Sequence, residues 1–221
     1  MREYYDRRAR EYDDWYRGTG LFAGRSRPGW DEELAALVRL VAGLSPTRVL
    51  DVACGSGYLT RHLRGEVVGL DQSTAMLRAA RGQAPSARLV RGDGLALPFP
   101  DRAFGRVFVA HFYGHLAPGE GAAFLREARA VGGELVLVDA GPRGGPPRDE
   151  WQDRVLKDGS PHRVFKRFFT GASLADEAGG RVLHDGYWFV AVAAELTRGP
   201  SGGPPGPLGA VGPAPQGGWG D

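Results

Sequence analysis

The chain has 221 residues, a length that suits one α/β domain, and 42% of them are hydrophobic, which excludes a chain disordered throughout. Its 28 basic and 26 acidic residues nearly cancel, and there is no Lys/Arg block of five, so a dedicated nucleic-acid or membrane patch is not indicated. One cysteine, Cys54, excludes an internal disulfide; with no leader-like opening and no apolar run near the ~20 residues of a membrane helix, the expected setting is the cytoplasm.

In chain order, residues 2–17 are charged and aromatic and predict a helix, and residues 18–29, with four glycines and Pro28, read as a loop. Asp31 can cap a helix whose apolar stripe is Leu34, Leu37, Val38 and Val41. Residues 48–53 (RVLDVA) predict a strand, followed by a glycine turn and a helix near 58–64. A second strand over 67–71, a helix from a Ser73 cap through Ala80 and a third strand over 87–92 come next. A turn at Phe99-Pro100-Asp101 precedes a fourth strand at 106–110, a helix at 120–130 and a fifth strand at 135–139. Residues 141–147 read as a loop and 151–156 as a short helix candidate, and Thr170 caps a helix ending near Gly179. Two last strands, 181–184 and 187–195, flank Asp185-Gly186, a type I′ hairpin signal.

Alternating strands and helices imply an α/β, doubly wound, mostly parallel sheet, in which ligands bind outside the carboxyl ends of the strands. Glycine is unusually abundant, 35 residues, with 16 prolines; residues 198–221 hold nine of these glycines and six of the prolines. The expected organisation is therefore an aromatic N-terminal lid and loop over 1–30, a folded domain over 31–197, and a tail over 198–221 too poor in apolar residues to build a core.

The chemistry concentrates in VLDVACGSGYLT, residues 49–60. Gly55 and Gly57 directly follow a strand, where the chain must turn sharply and a ligand can approach the backbone. A second strand ending in Asp71 places an acid where it can hold both ribose hydroxyls of a nucleoside. The nicotinamide fingerprint G-x-G-x-x-G would require a third glycine where Thr60 stands. Asp51 would also lie against a pyrophosphate, a like-charge contact. A nucleoside bearing a cationic amino acid fits these residues better.

This pattern resembles the class I S-adenosylmethionine-dependent methyltransferases, particularly the small-molecule branch similar to ubiquinone and menaquinone methyltransferases. LDVACGSG resembles the family's first motif, VVGLDQSTAML the second and VRGDGLALPFPDRAFGRVF the third. FKRFFTGASLADEAGG resembles a late segment of the family, and YYDRRAREYDDWY the opening of many bacterial members. The resemblance covers roughly residues 2–196 and implies a Rossmann-like seven-stranded sheet in order 3-2-1-4-5-7-6 with one antiparallel strand. It implies that S-adenosylmethionine is the cofactor. Asp51, Ala53, Gly55 and Gly57 would hold the methionine moiety, Asp71 the ribose with Gln72 beside it, and Met76 would pack on the adenine. Asp93 would meet the adenine amino group, and Gly94 and Leu95 the ring edge. Ala110, His111 and Phe112 would line the junction of cofactor and acceptor.

A methyl acceptor that is a hydroxyl benefits from a base. His111 and His115 lie after the fourth strand, and either could serve, His115 in preference. H-x-x-x-H without a Glu or a third ligand is a poor metal site, and none is expected. Four of the seven tyrosines fall in the first 16 residues; Tyr5 and Tyr12 could cover the cofactor, since aromatic faces attract a sulfonium, or only dock a helix on the sheet. Arg143, Arg148, Lys166 and Arg167 could receive an acidic acceptor group, although a solvated surface is the simpler expectation. Trp151, Phe165, Phe168 and Phe169 either line an apolar acceptor pocket or cover the sheet. His111-Phe112-Tyr113-Gly114 replaces the [DN]-P-P-[FY] of base methyltransferases, so a small-molecule acceptor, oxygen or carbon, is expected rather than nucleic acid. The competing expectation is a relative of the same fold that binds the cofactor without transferring methyl, of cyclase type or non-catalytic.

Overall fold

A computed structural model describes residues 2–196. The main sheet has seven strands: β1 (Thr47–Val52), β2 (Gly65–Asp71), β3 (Arg88–Arg91), β4 (Phe104–Ala110), β5 (Gly132–Ala140) and, after a separate hairpin, β8 (Arg181–Asp185) and β9 (Phe189–Glu195). Their spatial order is β3-β2-β1-β4-β5-β9-β8, and β9 alone runs against its neighbours, pairing antiparallel with both β5 and β8. This is the expected order, with β8 and β9 as the sixth and seventh strands.

Each strand presents alternate residues to two separate cores, as the period of two requires. Leu50 and Val52 of β1 join Leu135 and Leu137 of β5 on one face, beneath Phe124 and Leu125 of α5 (Glu120–Val131) and Leu174 of α6 (Gly171–Ala178). Val49 and Val136 join the opposite face, covered by Trp30, Leu34, Leu37 and Val41 of α3 (Trp30–Gly43). Ser73 caps α4 (Thr74–Gln83) by accepting from the Met76 amide, and Thr170 and Ser173 form a capping box on α6.

Local readings fail in five places. The N-terminal helix is two short helices, α1 (Arg2–Arg8) and α2 (Asp14–Arg17), with a turn between them. α3 begins at Trp30, with Gly29 in the left-handed region as its N-cap, so Asp31 sits in the first turn instead of capping. The helix expected near 58–64 is a single 3₁₀ turn, Thr60–His62. The hairpin of β8 and β9 forms, but neither Asp185 nor Gly186 has positive φ; Gly186 N–H instead donates to the Phe189 carbonyl. The helix expected at 151–156 is a strand, β6 (Arg148–Val155), paired antiparallel with β7 (Pro161–Phe168) in a two-stranded sheet of their own. Its alternation is inverted: Arg148, Glu150, Gln152 and Arg154 are half-buried, whereas Trp151 and Val155 are 60% and 58% exposed. The tail over 198–221 lies outside the described residues. Among the described residues no helix is long and apolar enough to cross a membrane.

Candidate functional site

The carboxyl ends of β1, β2 and β4 converge on a cavity of about 230 Å³. Two non-glycine residues on its wall, Ala53 and His111, adopt positive φ of 56° at the ends of β1 and β4. Such a conformation costs on the order of 1–3 kcal/mol and collects where function fixes the backbone. Gly55 also has positive φ and faces the Tyr12 ring, which lies 3.7 Å from where a Cβ would stand.

The wall gathers residues from five segments. The first turn gives Ala53 and Gly55, and the end of β2 gives Asp71 and Gln72, with Met76 from α4. Asp93, Gly94 and Leu95 come from the loop after β3, Ala110, His111 and His115 from the end of β4, and Tyr5 and Tyr12 from the N-terminal segment. Two of the expected residues are absent from it. Gly57 instead packs the turn on α4, where a Cβ would come within 3.1 Å of Ala80 Cα. Asp51 stands behind the wall, buried, accepting from Thr60 Oγ1 at 2.6 Å. Gly94 also has a packing reason to be glycine, because a Cβ would meet the Phe112 ring at 2.9 Å.

Asp71 is the wall's principal acceptor. One carboxylate oxygen accepts from Gly55 N–H at 3.0 Å and the other from Ser73 N–H at 2.8 Å. A carboxylate has about four acceptor positions, and with the Gln72 amide also directed at it capacity for a further donor remains. Burial raises its pKa, against these hydrogen bonds. Burial pushes Asp51 up to about 7, with the Asp71 charge adding to it and the Thr60 hydrogen bond opposing. A buried acid so placed favours a nearby cation over an anion. The site therefore fits an adenosine attached to a cationic amino acid: spare acceptor capacity for hydroxyl donors, an apolar Met76 face and, among the described residues, no lysine or arginine on the wall to receive a phosphate.

Both histidines are neutral at physiological pH. Burial lowers His111 to about 4, and its Nε2 is buried without a hydrogen-bond partner. Burial also takes His115 well below 6.5, reinforced by Lys166 and Arg154. His115 Nδ1 lies 2.7 Å from the Phe165 carbonyl oxygen. A carbonyl can only accept, so Nδ1 carries the proton and Nε2 the lone pair. The depressed pKa of His111 carries a stability consequence. Between pH 6.5 and about 4 the unfolded chain binds a proton that the folded chain refuses, so stability is complete above that window and falls as pH drops through it. The loss should be on the order of 3 kcal/mol. His111→Asn, which tolerates the left-handed backbone, should flatten this dependence in urea unfolding between pH 7 and 4; an unchanged slope would show that His111 is not its source.

A second, larger cavity of about 770 Å³ adjoins the first and shares Tyr12, His111 and His115 with it. Its walls come from α1, α2, the loop before α3 and the β6–β7 hairpin. The N-terminal segment is fastened over both cavities. Ser73 Oγ donates to Asp6 at 2.5 Å, and Ser56 Oγ and Gln83 Nε2 donate to Asp13 at 2.5 and 2.6 Å. On the hairpin side, Lys157 pairs with Asp14 at 2.6 Å, and Arg154 donates to Tyr4 Oη.

The sequence reading missed one pair. Lys166, read as surface, is buried and lies 2.5 Å from Asp139 at the end of β5, which also accepts from Gly114 and Ala140 N–H. Burial alone would raise Asp139, but the Lys166 ammonium more than reverses this and holds it below the ordinary carboxylate range. The acid at the end of LVLVD was visible as a strand-end group; its lysine partner was hidden because it sits on a hairpin read as loop and helix. Trp151 is exposed and Phe169 is core, so of the four aromatics only Phe168 reaches the larger cavity. Among the described residues no group of three or more His, Cys, Asp or Glu could hold a metal.

A doubly wound sheet whose β1–turn and β2 acid frame a cation-tolerant nucleoside cavity defines a nucleoside-cofactor-binding protein. Residues 49–132 match the model of a methyltransferase domain. A demethylmenaquinone methyltransferase of Thermus thermophilus is 38% identical over 121 residues, which are 50% of this chain and 54% of that protein. The chain thus matches about half the length of its curated relatives. The solved DhpI–SAH complex is 30% identical with a TM-score of 0.67, covering 86% of this chain and 92% of that one, and the DhpI–SAM–HEP complex superposes with a TM-score of 0.68. The [4+2]-cyclase SpnF, 20% identical with a TM-score of 0.58, covers 83% of this chain and 73% of its own, and shares the fold. The chain belongs to the class I S-adenosylmethionine-dependent methyltransferases.

Proposed function

We propose that this chain transfers the methyl group of S-adenosylmethionine to an oxygen or carbon of a small molecule seated in the larger cavity. The observation that carries this reading is the junction: His111, His115 and Tyr12 belong to both cavities, so a donor in one can face an acceptor in the other. When bound, the cofactor supplies a methyl already activated by its sulfonium, and the protein's work is alignment and exclusion of water. Asp71 receives the ribose hydroxyls, Asp93 the adenine amino group, and the backbone of Gly94 and Leu95 the ring edge. Ala53 and Gly55 border the methionine portion. Asp51 acts through charge from behind the wall, and Gly57 by fixing the turn on α4. Tyr5 and Tyr12 close the cofactor side. His115 Nε2, with its lone pair, accepts the proton of a hydroxyl acceptor.

Incubation with methyl-labelled cofactor and a panel of acceptors, demethylmenaquinone among them, should yield S-adenosylhomocysteine and a labelled product. Cofactor binding by calorimetry without transfer to any acceptor would refute methyl transfer. For His115→Ala, turnover of a hydroxyl acceptor should drop about a hundredfold or more, with S-adenosylhomocysteine affinity kept within about twofold. Equal losses in both would remove the proposed role. Because His115 is already neutral well below pH 6.5, the rate should show no acid-side fall between pH 8 and 6.5.

A further inference from the structure

The larger cavity is lined by Arg8, Arg25, Arg27, Arg143, Arg154 and Lys166. Arginine supplies 26 of the 28 basic residues of this chain, so its presence on a wall is unremarkable by itself. What bears on a ligand is that five arginines share one concave wall with little counter-charge among them. Elsewhere Arg106, Arg148 and Arg167 pair with carboxylates within 4 Å, as do Arg2, Arg7, Arg17 and Arg48. Among the described residues none of the five arginines of this cavity makes such a pair; only Lys166 does, with Asp139. Three acids share the wall, but Asp14 is held by Lys157, and Glu11 accepts from the Lys157 backbone amide. That leaves Asp153 alone among them without a described partner.

The guanidinium groups are also crowded. Arg8 Nη1 and Arg154 Nη1 both donate to the single hydroxyl oxygen of Tyr4, at 2.7 and 3.2 Å. The Arg143 guanidinium makes no described hydrogen bond and lies over the rings of Phe168 and Trp188, at 5.4 and 5.1 Å from their centroids. Like charges held this close repel, and an arginine fork with donors to spare matches carboxylate and phosphate oxygens two at a time. The inner face of β6, where Gln152 and Arg154 point toward the cavity, is polar for the same reason.

We infer, resting on the methyl-transfer reading, that the acceptor is a small anion whose carboxylate or phosphate-type group is bound by Arg8, Arg143 and Arg154. Tyr4 orients Arg8 and Arg154, while His111 and His115 at the junction face the atom to be methylated.

The test uses the full chain and two separate measurements. In the first, benzoate and methylphosphonate are titrated calorimetrically into protein saturated with S-adenosylhomocysteine, with benzamide as the neutral control. At least one anion should bind, benzamide should not, and Arg154→Gln and Arg143→Gln should each weaken the anion about tenfold or more while S-adenosylhomocysteine affinity stays within about twofold. The Arg143 side chain has no described hydrogen bond to lose and its backbone bond to Tyr187 is kept in the variant, so the test stays valid if Arg154→Gln fails to fold. Equal binding of benzamide, or full anion affinity in Arg143→Gln, would overturn the inference. In the second, labelled cofactor is offered with carboxylate acceptors and their amide counterparts, and with a polyprenyl quinol. Transfer to the anions supports the inference, and transfer to amides or quinol at equal rates overturns it. Anion binding with no transfer to any acceptor would instead overturn the methyl-transfer reading and leave the anion site standing.

Discussion

Replacing Asp71 by alanine is expected to weaken S-adenosylhomocysteine binding by about a hundredfold or more while the protein remains folded. Two contributions add. The spare acceptor capacity of the carboxylate is lost to the ribose, and hydrogen bonds to a charged group are worth about 1.5–3 kcal/mol each. The Gly55 and Ser73 amides also lose their partner, so the turn that borders the ligand loosens. Asp71→Asn keeps one carbonyl acceptor and should fall between the two. Calorimetry for affinity and a thermal melt for the fold separate binding from stability. Unchanged affinity in a folded Asp71→Ala protein would refute the ribose assignment.

The second large effect is expected at Lys166→Met, which should destabilise the protein by about 3–5 kcal/mol. Asp139 is fully buried, and without the ammonium only the Gly114 and Ala140 amides would offset its charge. Removing both charges in Lys166→Met/Asp139→Asn should recover much of the loss, because the cost lies in an unpaired buried ion more than in the absent bridge. The low folded pKa of Asp139 adds a pH signature. Its contribution is present above the unfolded value near 3.9 and disappears as pH falls through the folded value, a component of acid unfolding that the double variant should lack. A single variant as stable as the parent in urea would show the pair to be dispensable.

Much of the fold was legible because its signals are local. LDVACGSG and VVGLD announce buried strands ending in acids, and Ser73 and Thr170 announce caps, all read from a few adjacent residues. The wall of the smaller cavity, proposed to take the cofactor, is drawn from the same stretches: Asp71 ends a strand, and Gly55 and Asp93 follow strand ends closely. Asp51 and Gly57 belong to the same motif, yet one lies behind the wall and the other packs a helix, since a motif marks a neighbourhood and packing decides which atoms reach the cavity. The acceptor side was illegible for a physical reason. RDEWQDRV has the period of a strand, but its charged residues face inward and its Trp151 faces water. Apolar patterning is informative only where the inside is dry. Here this strand turns Gln152 and Arg154 toward a cavity, so the usual sign of the pattern is reversed. Lys166 was misplaced by the same rule.

The β6–β7 hairpin shares no strand pairing with the seven-stranded sheet. It is held to that sheet's carboxyl edge chiefly through two adjacent residues of β7: the Phe165 carbonyl on His115 and Lys166 on Asp139. The hairpin wall of the larger cavity is thus separable from the scaffold that frames the smaller one. Substitutions along Gln152 and Arg154 can rewrite what the enzyme recognises without touching the glycine turn or Asp71. The side chain that cannot drift in such a rewriting is Lys166, because it neutralises a buried acid; at 165 the anchor is a backbone carbonyl, which any residue supplies. Diversity on this chassis is expected to accumulate around Lys166 and not at it.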